Sequence, residues 1–292
     1  MRLTEFKDAQ PGARAVAVGT FDGVHLGHRD VIEGADTVLT FEPHPVAVIA
    51  PARMPRLLTP LHRKAEIIAS LGVQELIVIA FDAQFAARSA ERFIDEVLVG
   101  TLSAASVSIG ENFRFGAGAR GDAAMLAADG RFAARVVALC EVDGEIVSSS
   151  RIRSLIAAGE VARAATLLGE PHELRATVVA GDRRGRELGF PTANMIPPAG
   201  IACPGHGVYA CLANGTAAAV NIGVRPTFGS GRAELIEAHL IDFDGDLYGS
   251  ELRLRFLERL RGERRFATAE ALIEEMHSDV ARARAICAAV LG

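Results

Sequence analysis

Polar and apolar positions along the chain fall into two textures. Up to about residue 140, short unbroken apolar runs alternate with longer segments whose apolar residues recur at helical spacing. The runs are 15–19 (AVAVG), 37–41 (TVLTF), 75–81 (ELIVIAF) and 106–110 (SVSIG). Unbroken apolarity is what a strand covered on both faces requires, as in a parallel sheet. The intervening segments predict helices over 60–71, through Leu61, Ala65, Ile68 and Leu71, and over 89–99, through Phe93, Val97 and Leu98, with Ser89 as N-cap. This alternation favours a doubly wound α/β sheet. One helix is expected over about 150–168, stopped by Gly169 and Pro171. From 174 to 257 the texture becomes short strands separated by Gly, Pro, Asn and Asp, which suits an antiparallel barrel or sandwich. Thr268 opens a last helix to about 291, with Leu272, Met276 and Val280 on one face. The boundary is placed near Glu170, giving domains 1–170 and 171–292.

Length agrees with this division, since 292 residues exceed what one core usually organises. Of 31 basic residues only Lys7 and Lys64 are lysine. No G-x-x-x-x-G-K-[ST] loop exists, which excludes a P-loop NTPase, and neither lysine sits in a distinctive sequence setting. A net charge of −5 and 5% aromatics argue against a protein that lives on nucleic acid. Cys140, Cys203, Cys211 and Cys287 show no C-x-x-C spacing, so small buried thiols are expected rather than zinc or a disulfide framework. The first residues lack the apolar core of a signal peptide, and no apolar run approaches the ~20 residues of a membrane span. The expected class is a reduced, cytoplasmic protein with no nucleic-acid or membrane partner.

The turn after the first predicted strand reads GTFDGVHLGHRD. His25 and His28 stand three apart with Gly27 between them where a helix should begin, so both imidazoles would share one face. A helix N-terminus offers free N–H groups and a positive dipole end to phosphate, and Gly27 lets an anion approach the backbone. A zinc pair or two surface histidines are the alternatives; zinc lacks the further ligands it needs. GTFDGVHLGH resembles the signature of nucleotidyltransferases that transfer AMP or CMP to phosphate acceptors. TFEPHP (40–45), FDAQFAARSAERFI (81–94), GENFRFG (110–116) and SSSRIR (148–153) narrow the resemblance to the N-terminal half of bacterial bifunctional riboflavin kinase/FAD synthetases. It implies a Rossmann-like sheet in which His25 and His28 contact ATP phosphates while FMN attacks the α-phosphorus. It further implies Gly19, Phe21, Gly27, Ser149, Ser150 and Arg153 at the nucleotide phosphates and Asn112 and Phe113 at the flavin. Gly116, Gly118 and Gly121 also spell G-x-G-x-x-G, but without the strand and helix a dinucleotide fold requires. Only 12 residues separate His28 from Phe41, so the first crossover is expected to be short.

The second half carries GDRRGRELGFPTAN. Gly181, Gly185 and Gly189 recur every four residues, which suits a loop around phosphate rather than a helix. Thr192 and Asn194 offer neutral oxygens two residues apart, a fit for Mg²⁺ that keeps water and nucleotide phosphate; a plain turn before a strand is the competing reading. With GVYA (207–210), NIGVRPTF (221–228) and IEAHLIDF (236–243) the segment resembles riboflavin kinase, a Greek-key barrel with a C-terminal helix. That resemblance implies Mg-ATP at Thr192 and Asn194, and Glu237 as general base for the ribityl hydroxyl; the competing reading of Glu237 is an outward strand residue. Asp242, Asp244 and Asp246 mimic a calcium loop, but Leu247 and Arg253 stand where Gly and Glu are needed. Arg259, Arg261, Arg264 and Arg265 are expected to be solvated. The resemblance as a whole implies two Mg²⁺- and ATP-dependent steps, riboflavin to FMN and FMN to FAD, with flavin as substrate and product. A riboflavin kinase with an impaired adenylyltransferase half, and a non-catalytic flavin-binding regulator, are the alternatives.

Overall fold

The computed structural model describes residues 1–180, 189–226 and 232–291. It divides into two units, 1–149 and 150–292. In the first, β1 (Arg2–Glu5), β2 (Arg14–Val18), β3 (Thr37–Glu42), β4 (Glu75–Ala80), β5 (Ala104–Gly110) and β6 (Ala133–Val137) form one parallel sheet in the order β1-β4-β3-β2-β5-β6. The predicted strands are β2 to β5. Val38, Leu39, Leu76, Ile77 and Val107 are fully buried, as unbroken apolar runs demand, and each such burial contributes about 1.5–3 kcal/mol. The pattern does not reveal β1, whose side chains are mostly exposed. Backbone pairing to β4 and bonds from Arg2 and Thr4 to the Glu75 carboxylate hold it (3.0 and 2.7 Å). Arg14, buried beside Glu75, completes the pair at 3.2 Å.

The first crossover is α1 (Leu26–Ile32), only seven residues, yet it places β3 beside β2 in register. Helices α2 (Pro45–Ile49), α3 (Leu61–Ser70) and α4 (Ala83–Ala86) follow. The segment expected as one regular helix from Ser89 is α5 (Ala90–Arg92) widened into a π-helical stretch, Phe93–Thr101, in which Leu102 N–H reaches the Val97 carbonyl. Ser89 does cap it, accepting from Arg92 N at 3.2 Å. After α6 (Ala123–Ala127) and the small hairpin β7 (Glu141–Val142) and β8 (Glu145–Ile146), the chain enters α7 (Ser149–Ala158).

The single helix expected over 150–168 is two, α7 and α8 (Val161–Leu168). Gly159 breaks it at φ +81°, where a Cβ would lie 2.7 Å from the Tyr209 hydroxyl. Apolar spacing runs through both helices, so periodicity alone conceals the break. Gly169 ends α8 in the left-handed region as expected. Six antiparallel strands then close a barrel in the order β10-β13-β12-β11-β14-β9: β9 (Glu173–Val179), β10 (Ala193–Met195), β11 (Gly207–Ala213), β12 (Thr216–Pro226), β13 (Arg232–Leu240) and β14 (Glu251–Arg261). The meander β11–β12–β13 with β14 returning beside β11 is a Greek key. α9 (Ala269–Leu291), capped by Thr268, lays Ala283, Val280 and Ile286 against the outside of the barrel at Val208, Ala210 and Leu260. Strand β11 is therefore buried on both faces, which explains its unbroken apolarity.

Candidate active sites

In the first unit the motif segments follow the C-terminal ends of successive strands. GTFDGVHLGH follows β2, the end of TFEPHP follows β3, FDAQF follows β4 and ENFRFG follows β5. The sheet order reverses between β2 and β5, and the crevice beyond the strand ends at such a switch is where open α/β sheets bind ligands. The turn after β2 and Asn112 with Phe113, after β5, flank it. Asn112 is exposed; Phe113 is half-buried and stacks on Phe115 with centroids 5.8 Å apart.

His25 caps α1 rather than lying within it. Its Nδ1 accepts from His28 N at 3.3 Å, which puts the His25 proton on Nε2 and makes that N–H a donor. The two imidazoles stack with centroids 3.5 Å apart. His28 Nδ1 is buried and lacks a hydrogen-bond partner among the described residues. Burial, then His25 and Lys64, hold the His28 imidazole well below the usual histidine range, so it is neutral at neutral pH. Phe21 is 1% exposed and meets the His28 ring edge-on at 5.3 Å, so its ring lies in the core beneath the histidine. Gly19 permits that packing, since a Cβ there would come within 2.9 Å of the Phe21 ring. At Gly27 a Cβ would crowd Cys140 at 3.2 Å. The Ser149 hydroxyl donates to the Asp22 carbonyl at 2.9 Å, tying the serine run to this turn. Ser150 and Arg153 belong to the second unit, where Arg153 donates to the Ser150 hydroxyl at 3.2 Å.

Lys64 overturns the expectation that neither lysine has a distinctive setting. It is 5% exposed on α3 and its Nζ donates to the Thr20 carbonyl at 2.7 Å. Burial lowers its pKa against the opposing pull of Asp22 and Glu42. Asp22, also buried, accepts from Leu58 N (2.8 Å) and Thr59 N (3.2 Å). The turn after β2 is thus fastened to the α3 segment by an ammonium and a carboxylate. Sequence offered one signal for this: a lone lysine among apolar helix positions.

The G-x-G-x-x-G string serves packing. At Gly116 a Cβ would strike the Ala90 backbone at 2.6 Å, and the segment leads into a three-residue 3₁₀ turn.

In the second unit the site lies on the outer face of the barrel. Ile236, Ala238 and Leu240 point inward along β13, so Glu237 and His239 point out. Register places Asn194 on β10 and Asn221 on β12 directly opposite Glu237, one on each side. Three polar side chains from three strands thus form one row. Asn221 Nδ2 donates to Glu237 Oε2 at 3.2 Å. Asn194 Nδ2 donates to the Thr192 carbonyl at 3.4 Å, so its amide nitrogen is engaged and its Oδ1 is the acceptor end. With the Thr192 hydroxyl this makes a pair of neutral hard oxygens beside a carboxylate, a donor set that fits Mg²⁺. Asn221 was not singled out from the sequence; the register that brings it to Glu237 is set by long-range pairing. Gly181 and Gly185 lie outside the described residues, while Gly189 precedes Phe190, whose ring meets His239 at 5.4 Å and His277 of α9 at 4.9 Å.

Of the four arginines expected to be solvated, Arg259, Arg264 and Arg265 are exposed, and Arg261 is not. Arg261 pairs with the buried Asp279 at 2.9 Å, Arg264 pairs with Glu275, and Arg259 donates to the His206 carbonyl at 2.6 Å. Asp242 pairs with Arg284 in the loop after β13, and no group of three or more His, Cys, Asp or Glu among the described residues is arranged to hold a metal. Cys203, Cys211 and Cys287 are buried, and all four thiols are free.

A family model described as FAD synthetase matches residues 7–151, and one described as riboflavin kinase matches residues 168–287. A bifunctional riboflavin kinase/FMN adenylyltransferase of Listeria monocytogenes is 37% identical, covering 94% of this chain and 93% of that protein. Those of Escherichia coli and Bacillus subtilis are each 36% identical, covering 92% and 90% of the chain and 91% and 89% of the relatives. A crystal structure described as a macrolide-efflux protein from Streptococcus pneumoniae superimposes with a TM-score of 0.89 at 27% identity, over 97% of this chain and 99% of that one. Among the described residues no helix is long and apolar enough to cross a membrane. The paired family models, the relatives that match nearly end to end, and the two sites built on a helix terminus and a barrel face place this chain in the family of bifunctional riboflavin kinase/FMN adenylyltransferases.

Proposed function

We propose that the chain phosphorylates riboflavin to FMN in residues 171–292 and adenylylates FMN to FAD in residues 1–170, each with its own ATP. The observation that carries this reading is the stacked His25–His28 pair at the mouth of α1, at the switch point of the sheet.

In the adenylyl step an FMN phosphate oxygen attacks the ATP α-phosphorus, and the bond to pyrophosphate breaks. The imidazole N–H donors of His25 and His28 and the N-terminal amides of α1 stabilise charge as it spreads over the phosphoryl oxygens, without reorganising. Gly19 and Phe21 position His28 from below, and Gly27 keeps the approach to the backbone open. Further phosphate contacts are assigned to Ser149, Ser150 and Arg153, and flavin contacts to Asn112 and Phe113.

In the kinase step Glu237 accepts the proton of the ribityl 5′-hydroxyl as its oxygen bonds to the ATP γ-phosphorus and ADP departs. A positioned base of this kind contributes about 10²–10⁴-fold. Thr192 and Asn194 would hold Mg²⁺, which when bound neutralises nucleotide phosphate charge. Gly181, Gly185 and Gly189 are assigned to the loop that wraps that phosphate. A cytoplasmic location fits substrates of this kind.

Incubation with riboflavin, ATP and Mg²⁺ followed by chromatographic separation tests the reading. FAD is expected. FMN alone would mean an impaired adenylyltransferase half, and unchanged riboflavin would mean a flavin-binding regulator.

A further inference from the structure

Glu237 stands out from the barrel on a strand, where an unsupported glutamate samples several rotamers, and a base must meet its hydroxyl within hydrogen-bond reach. Register supplies the support. Asn221 sits opposite Glu237 on β12 and its amide donates to one carboxylate oxygen, Oε2, at 3.2 Å. A carboxylate has two oxygens, so this bond occupies one and presents Oε1 to a substrate. On the far side Asn194 occupies the matching position on β10, with its amide engaged by the Thr192 carbonyl. The two asparagines are therefore not equivalent: one turns an oxygen toward the row, the other a donor toward the glutamate.

Asn221 is itself held. Its other strand neighbour in the row is Val208 of β11, packed beneath α9, so the strand cannot shift without disturbing that core. Two residues along, Gly223 leaves room for Glu263: a Cβ at 223 would be 2.7 Å from Glu263 Oε1 and 3.6 Å from Asn221 Nδ2. The Asn221 amide is thus bonded to Glu237, while Glu263, across the space that Gly223 leaves open, faces His206 at 3.6 Å. A neutral donor at this point keeps the glutamate oriented without adding charge beside it.

We infer that Asn221 is a positioning residue for the kinase step, fixing the Glu237 carboxylate so that one oxygen faces the ribityl hydroxyl. This inference rests on the proposed role of Glu237 as base. Because Asn221 acts through Glu237, its effect should vanish when Glu237 no longer serves as a base. A residue that merely supports the barrel, or that touches flavin, would show its effect in either background.

The test is a double-mutant cycle on the full chain, with FMN formation from riboflavin and ATP followed in single-turnover and steady-state form. Asn221→Ala is expected to lower kcat about tenfold, the loss of one hydrogen bond to a charged group, with KM for riboflavin and ATP unchanged. Asn221→Asp should lose more, because it sets two carboxylates face to face. In a Glu237→Gln background the further change to Asn221→Ala should cost less than about twofold. Hydrogen exchange of the barrel amides reports that each variant is folded, and formation of FAD from supplied FMN, carried by the other unit, serves as the internal activity reference. Equal losses in both backgrounds, or a loss confined to KM for riboflavin, would overturn the positioning role. If Glu237→Gln alone left FMN formation intact, the base assignment would fail instead, so the two readings fail by different measurements.

Discussion

In the first unit one turn of ten residues, Gly19 to His28, delivers two imidazoles, a helix N-terminus and the glycines that let them pack. In the second, Asn194, Asn221 and Glu237 come from three separate strands and meet only because β10, β13 and β12 pair in one register. The first arrangement is largely local: its geometry follows from a helix cap and a buried ring, with Lys64 and the Asp22 carboxylate as its long-range ties. The second depends on the whole barrel, since a slip of one residue along β13 would turn Glu237 into the core. A helix terminus carries its ligand site with it, whereas a barrel face must be assembled before its site exists.

The sharpest way to separate the two is to remove one group from each. His28→Ala is expected to lower FAD formation from supplied FMN by about 10²–10³-fold while FMN formation from riboflavin survives, and Glu237→Gln to do the reverse, as read by product chromatography with each step assayed from its own substrate. Loss of both separately assayed steps from either variant would mean the sites are not independent.

Acidity is the next probe of the barrel unit. Burial depresses His172, in the barrel unit, to about 4, and its bond to the Ala202 carbonyl only partly offsets this. The folded state therefore binds this proton less readily than the unfolded chain, whose histidines titrate near 6.5. Stability contributed by neutral His172 is fully present above about pH 6.5 and is lost as pH falls toward 4. The loss amounts to about 3 kcal/mol when complete. Hydrogen exchange of the barrel amides across that range should show it, and His172→Gln should flatten the dependence while lowering stability at neutral pH.

Gly159→Ala is a backbone test of the second unit alone. A φ of +81° and a Cβ 2.7 Å from the Tyr209 hydroxyl should cost about 1–2 kcal/mol in its unfolding free energy. FAD formation from FMN should be unchanged. Lys64→Met tests the fastening of the first site: it leaves the Thr20 carbonyl and the buried Asp22 without their cation, so kcat/KM for FAD formation should drop about tenfold together with a fall in the melting temperature of the first unit. Unchanged FAD formation despite that fall would mean the fastening does not reach the site.

Much of this was legible along the chain, and the exceptions have common causes. The four strands β2 to β5 were readable because burial on both faces forces unbroken apolar runs. The strand β1 was not, because an edge strand needs only backbone pairing and one carboxylate to hold it. The break at Gly159 hid inside continuous helical spacing, and the π-helical widening after Arg92 left apolar residues at positions that suit either helix. Lys64 read as an ordinary helix residue because nothing in its neighbours announces the Thr20 carbonyl forty-four positions earlier. Arg261, expected to be solvated, was misjudged for the same reason: it finds Asp279 only once α9 folds back on the barrel.

Sequence by itself determined that there are two units, that one is α/β and the other a β-barrel, and that a histidine pair stands at a helix start in a chain with no lysine loop of common ATPases. Those are properties of short windows, where periodicity and capping act. Tertiary structure alone decided which polar groups face each other: the ammonium of Lys64 on the turn after β2, and Asn221 on Glu237. Hydrogen bonds reach about 3 Å and take no account of sequence separation, so such pairs are written in sheet register and helix packing rather than in any stretch of the chain.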